Sequence, residues 1–376
     1  MAGIYIHIPY CRKVCYYCDF HFKASFKDVN PVLTAVNREL EYRRDYLKDE
    51  EIETIYFGGG TPSSVDITFI KEILATVYNN FSITRHPEIT LEANPDDLHP
   101  AYLKSILQIG INRLSIGIQS FLRKDLLWMN RRHNAARAID SIKFAKKEGF
   151  ENINGDLIYG IPGLTEEAWR ENLHMFLTWK FLIFLHITLL LNRRRFSGLK
   201  KNADNSPKFL KMKVFFSLKF YWTKLKNMDF NITKFQILQK RIFIQDITWV
   251  IGTIKIVLGV GPSAHSFDGI TRCWNTKLHH VYIEGVNSGQ KYYEVERLNT
   301  SEKFNDYVLT RLRTMWGLDY KYIAQNFGEA YVKEVSRISE KYNNYLIMEN
   351  DCITLNTKGK FIADRIASEF FIVDVN

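Results

Sequence analysis

Only five cysteines and nine prolines are spread over 376 residues, and no apolar run approaches the length of a membrane span. The most apolar stretch, FLIFLHITLLL (181–191), is interrupted by His186 and falls short of the roughly 18 residues that a spanning helix needs. With so few prolines, 46% apolar and 24% charged residues, collagen-like and disordered classes are excluded. The opening MAGIYIHIPYC lacks the basic start and long apolar core of a secretory signal. The expectation is therefore a cytoplasmic protein, at most peripheral to the inner membrane. There thiols stay reduced, and a tight cysteine cluster points to metal rather than to disulfides. One further absence is local: residues 181–258 contain no Glu, and fifteen Lys or Arg face only Asp204, Asp229 and Asp246. That stretch alone exceeds the whole chain's net charge of +10, so the basicity is not a general surface property and no nucleic-acid partner is expected.

What is present is a repeating pattern. Short β-rich runs at 3–9, 52–59, 88–95, 112–121 and 152–163 alternate with amphipathic stretches such as NPVLTAVNRELEYRRDYL and NAARAIDSIKFAKKEGF. Repeated strand-helix units predict an α/β fold with a parallel sheet, doubly wound or curled into a full or partial barrel, with ligands at the C-terminal strand edge. The length suits one large body plus a smaller appendage. We place the first at 1–285 and a small, mostly helical domain at 286–376, ending in a two-stranded element, MENDCITLNTKG.

Three of the five cysteines, Cys11, Cys15 and Cys18, fall within YIHIPYCRKVCYYCDF, directly after the first strand. Zinc normally takes a fourth protein ligand, and Cys273 and Cys352 are isolated. Three thiolates suit a 4Fe-4S cubane whose fourth iron stays open to a cofactor or substrate. The spacing C-x3-C-x2-C resembles the radical S-adenosylmethionine (SAM) superfamily, in which SAM chelates that iron. GIYIHIPYCRKVCYYCDF, IYFGGGTP, LEANPDDL, RLSIGIQSF, GDLIYGIPG and GPSAHSFDG further resemble, in order and spacing, proteins related to oxygen-independent coproporphyrinogen III oxidase. The resemblance implies a partial (β/α)6 barrel with a helical C-terminal domain. It also implies that Tyr5, Gly59, Gly60, Thr61, Glu92, Gln119, Arg131 and Asp156 contact SAM and that Tyr17 flanks the cluster. Taken singly, Arg131 in MNRRH also reads as a solvated helix start, and Glu92 as a turn cap.

Two branches share this scaffold. The oxidative decarboxylase branch carries a further cysteine two residues after the third, where this chain has Phe20 after Asp19. CYYCDF resembles the heme-chaperone branch, whose members bind heme and hand it to respiratory hemoproteins. That implies heme as carried ligand, recipient hemoproteins at the cytoplasmic membrane surface, and a homodimer as a further expectation. The alternatives are the decarboxylase itself and a basic surface-binding protein with a structural cluster. His265, in GVGPSAHSF, is the heme-ligand candidate, with a hydrogen-bonded structural histidine as the competing reading; the same two readings apply to His7 and His133.

The family's H-I-S-A-Y and H-N-x-x-Y-W motifs are missing. In their places stand FLIFLHITLLLNRRRFSG (181–198) and NITKFQILQKRIFIQDITWVIGT (231–253). One common shift of reading frame, with permissible codons, restores ISAYY in the first and HNMGYW in the second. Residues 181–200 and 231–256 therefore read as translated out of frame, which also accounts for part of the local basic charge.

Overall fold

A computed structural model describes residues 2–47, 50–158, 161–178, 187–188, 237–238, 256–360 and 362–373. The two stretches read as out of frame lie outside the described residues, apart from 187–188, 237–238 and 256. The described chain divides into two compact units, one holding the described residues up to Glu296 except 237–238 and the other holding 237–238 and the residues from Arg297 onward.

The first unit is built on one sheet. Strands β1 (Ala2–Ile8), β2 (Ile52–Gly59), β3 (Ile83–Ala93), β4 (Arg113–Gln119) and β5 (Asn152–Leu157) follow one another. They are joined through α1 (Val29–Tyr42), α2 (Ile67–Asn80), α3 (Pro100–Gln108), α4 (Arg123–Trp128) and α5 (Ala135–Lys147), and α6 (Glu166–Thr178) follows β5. Each consecutive strand pair is parallel, and β6 (Ile256–Val260) adds in parallel on the far side of β1. Strands β7 (His265–Phe267) and β8 (Thr271–Asn275) then turn back antiparallel, and β9 (Tyr293–Arg297) forms the edge beyond α7 (His279–Ser288). Nine strands result, in the order β9-β8-β7-β6-β1-β2-β3-β4-β5.

The residues explain the arrangement. The central strand β1 is AGIYIHI, buried at every position but Tyr5, as expected of a parallel strand covered on both faces. Ile4, Ile6 and Ile8 are fully buried, and each contributes roughly 1.5–3 kcal/mol by leaving water. Helix starts follow side-chain caps: Asp66 accepts from the Thr68 amide at 2.9 Å, and Asn134 from the Arg137 amide at 2.8 Å. Since the six parallel strands point one way, the loops after β1 to β6 meet along one edge of the sheet.

The second unit has its own core. Helices α8 (Thr300–Arg311), α9 (Tyr320–Phe327), α10 (Glu329–Lys341) and α11 (Ala363–Glu369) enclose Phe304, Val308, Ile323, Ile338, Ile366 and Phe370. The terminal hairpin is present as β11 (Leu346–Glu349) and β12 (Cys352–Leu355), turned by Asn350 and Asp351, both at positive φ. Such a two-residue turn matches the twist of the strands it joins. A short β10 (Leu318–Asp319) pairs with β12, so the expected two-stranded element is a three-stranded sheet. The third strand is only two residues long, too brief to leave an alternating pattern.

Candidate cofactor site

The loop after β1 carries all three clustered cysteines, each a free thiol. Cys11 is buried; its amide donates to the Lys23 carbonyl at 3.0 Å, and its Sγ lies 3.1 Å from Thr61 Oγ1. Cys15 and Cys18 are half-buried and linked by a turn in which the Cys18 amide donates to the Cys15 carbonyl. Burial pushes the Cys11 thiol up to about 11, against the lowering bond to Thr61, so without a metal it stays protonated at neutral pH. Among the described residues, no three His, Cys, Asp or Glu side chains converge on a single ion. A cubane differs in kind, because each cysteine binds its own iron and the sulfurs stand apart around the cluster.

The end of β2 closes over this loop. Gly59 adopts φ +108°, where its amide reaches Glu92 Oε2 at 3.2 Å and a Cβ would strike the His7 ring at 2.6 Å. Gly60 is tighter: a Cβ there would lie 2.6 Å from the Tyr10 carbonyl oxygen. The Gly60 amide donates to Ile8 and that of Thr61 to Tyr10, which brings the β2 end against the cysteine loop. Glu92, at the end of β3, also accepts from the Tyr56 hydroxyl at 2.9 Å. Tyr5, on β1, gives its hydroxyl to His7 Nδ1 at 3.0 Å and packs near Tyr56.

Arg131 stands at the centre. Its two terminal nitrogens donate to Cys15 Sγ at 3.5 Å, the Tyr17 hydroxyl at 3.2 Å and the Gly117 carbonyl at 2.7 Å. Its Nε is buried without a hydrogen-bond partner. Burial opposes the charge, but Tyr17 and Cys15 more than offset it and raise the pKa, so the guanidinium stays charged. Burial raises the Tyr17 phenol, which packs against Leu126, Met129 and Ile158. Gln119, the last residue of β4, is a non-glycine residue at φ +68° and is buried, a strained conformation of the kind that functional sites retain. Asp156, near the end of β5, lies within electrostatic reach of Tyr17.

The structure thus brings Cys11 against Thr61, Cys15 and Tyr17 against Arg131, and Gly59 against Glu92, with Cys11 within electrostatic reach of Cys15 and Arg131. Gln119 joins them through Gly117, whose added Cβ would lie 2.8 Å from Gln119 Nε2 and 3.3 Å from the Arg131 guanidinium.

The sequence profile of the Radical SAM superfamily matches residues 5–176. Along the full length the chain is 26% identical to the heme chaperone HemW of Lactococcus lactis, covering 99% of this chain and 98% of that one. Over its whole length the chain is similar to proteins named heme chaperone HemW, and over residues 5–176 to the radical SAM family. It is 24% identical to HemW of Bacillus subtilis over 98% of this chain and 99% of the relative. It also superposes on coproporphyrinogen III oxidase (HemN) from Escherichia coli, a radical SAM enzyme, with TM-score 0.82 at 21% identity, over 98% and 90% of the two chains. This structural likeness shows the fold, the radical SAM α/β sheet with a helical C-terminal region. Within it, Arg131, named from the sequence in either of two roles, is half-buried and packs against Cys15, Tyr17 and Gly117.

The three noted histidines have separate places. His133 is buried and bonds the Ile118 carbonyl at 2.9 Å through Nε2. His7 bonds the His21 carbonyl at 3.1 Å. His265 is half-buried, stacked on Trp274. Sequence reasoning missed the fully buried Glu39 of α1, which accepts from the Gly261 amide at 2.8 Å, Asn275 Nδ2 at 2.8 Å and the Tyr282 hydroxyl at 2.6 Å. A Glu in an amphipathic helix carries no signal of such a role. Its effect is to fasten the turn after β6, which leads into His265 at the start of β7, to α1 and α7.

Proposed function

We propose that the protein is a heme chaperone that binds heme and passes it to hemoproteins of the respiratory chain. In this reading Cys11, Cys15 and Cys18 hold a 4Fe-4S cluster whose open iron is completed by SAM. The observation that carries it is the cysteine loop packed on Arg131: three cysteines outside any disulfide on one loop, beside a half-buried guanidinium whose Nε is buried without a partner. A buried donor without a partner is costly, and a bound carboxylate such as that of SAM would satisfy it. Gly59, Gly60 and Thr61 would present backbone groups to the same ligand, with Glu92 and Asp156 taking its ammonium or hydroxyls, and Gln119 and Tyr5 bordering it. When bound, SAM and the cluster supply one-electron chemistry, while the chain orients and shields them.

Full-length likeness to proteins named heme chaperones, and Phe20 where the decarboxylase branch has a cysteine, favour the chaperone reading over coproporphyrinogen decarboxylation. Recipients at the cytoplasmic face of the membrane, and a homodimer, belong to the same proposal. No helix among the described residues is long and apolar enough to cross a membrane. His265 remains the proposed heme-ligand candidate.

The test is anaerobic reconstitution of the full chain, iron and sulfide analysis, and then titration with heme. About four irons per chain and a Soret shift on adding heme are expected. Turnover of coproporphyrinogen III with SAM, or iron retained undiminished in Cys15→Ala, refutes the assignment.

A further inference from the structure

At the end of the cysteine loop, clear of the cysteines themselves, two imidazoles from distant parts of the first unit bring their Nε2 atoms together. His21 follows Cys18 by three residues, and His279 opens α7; the two Nε2 atoms are 3.4 Å apart. That is long for an N–H···N hydrogen bond, whose heavy atoms sit nearer 3 Å. It matches the edge of a coordination tetrahedron, where two nitrogens each about 2.0–2.1 Å from zinc stand about 3.3–3.4 Å apart.

The surroundings suit ligands. His279 Nδ1 lies 2.8 Å from Asp28 Oδ2; donating its N–H to that carboxylate leaves Nε2 with a bare lone pair. A carboxylate behind the second nitrogen is the usual outer support of a metal-bound histidine. Asp28 is itself held by Lys23 at 2.7 Å and by the Tyr10 hydroxyl at 3.1 Å. His21 is held through its carbonyl by His7 and by ring stacking on His7 at 6.1 Å, while the Tyr10 ring packs edge-on against His279. Burial lowers His21 to about 4 and lowers His279 as well, so both rings are neutral near pH 7. Lys23 and Lys277 lie within electrostatic reach of His21. They disfavour a bare dication and favour one that brings an anion.

The geometry points to a second metal site, in which His21 and His279 bind one late first-row divalent ion such as zinc, with Asp28 as outer support. With only two protein ligands the site is an open one, unlike the closed four-ligand zinc sites weighed for the cysteines, and water or a small anion fills the remaining positions. A metal here would brace the end of the cysteine loop against the starts of α1 and α7. The site shares no residue with the cluster or SAM positions and stands whether or not the chain carries heme.

The experiment uses the cluster-loaded full chain under anaerobic conditions. Zinc is titrated by calorimetry, cobalt by difference absorption, and iron is assayed before and after. One equivalent of zinc, with tetrahedral cobalt bands and unchanged iron, is expected. His21→Ala and His279→Ala should each weaken binding at least about tenfold, and Asp28→Asn by about 10–100-fold. Should His279→Ala fail to fold, His21→Ala decides, because that side chain is half-buried on a loop. Zinc binding unaltered in His21→Ala, no zinc bound at all, or binding that displaces iron from the cysteines overturns the proposal.

Discussion

Acidification should destabilise the first unit in a way that one residue, His133, makes measurable. His133 is 4% exposed, and its Nδ1 is buried without a hydrogen-bond partner. Burial, then the neighbouring Arg131 charge, lowers its pKa from 6.5 to about 3. The unfolded chain therefore takes up a proton on this residue near pH 6.5 while the folded chain does not. Stability is fully present above that pH and drains away as pH falls toward 3. Between pH 7 and pH 5 the unfolded histidine gains about 1.9 kcal/mol from protonation, and the folded one almost nothing. His133→Gln keeps a donor for the Ile118 carbonyl but does not titrate. Denaturant melts of the cluster-free chain should show wild type losing about 2 kcal/mol more than His133→Gln over this interval. In thermal melts that corresponds to about 4–8 °C. Equal pH dependence in the two proteins would refute the account and imply that His133 is solvated or charged in the fold.

Four further outcomes follow. Gly60→Ala puts a Cβ against the Tyr10 backbone, which cannot rotate away, so a loss of about 1–3 kcal/mol and reduced iron incorporation are expected by melting and iron assay. Glu39→Ala leaves the Tyr282 hydroxyl and the Gly261 amide without their acceptor and takes one of two acceptors from Asn275 and from Arg43, which keep the Gly261 and Gly259 carbonyls. A loss of about 3–5 kcal/mol in denaturant titration is expected, against a smaller loss for Glu39→Gln. Arg131→Ala should weaken SAM binding at least about tenfold in equilibrium dialysis while cluster iron is retained, since the cysteines remain. Resequencing the gene should reveal compensating insertions or deletions flanking 181–200 and 231–256; an intact reading frame there would remove the frame-shift reading.

Local signals made much of this legible. The first five strands were readable because β-branched runs end at glycines or polar turns, and observed β2 coincides with the expected 52–59. Strand β3 begins earlier than expected, at Ile83, because its first half, ITRHPE, is polar and partly exposed at the sheet's start. The cysteine loop was readable from spacing alone. Arg131 was not decidable singly, since MNRRH is equally good as a solvated turn; only its packing against Cys15, Tyr17 and Gly117 distinguishes the two.

By itself the sequence determined which chemistry each strand end carries, because cysteine spacing, glycine runs and β-branched patterns act over a few residues. The tertiary structure decided which of those ends touch. His21 meets His279 across 258 positions and Glu39 meets Tyr282 across 243, contacts that exist because β6 pairs beside β1 and so carries the segment that follows it back to the first loop and to α1. Nothing in either local sequence encodes the partner. The burial that neutralises the histidines, and the orphaned nitrogen of Arg131, are likewise properties of the packed fold.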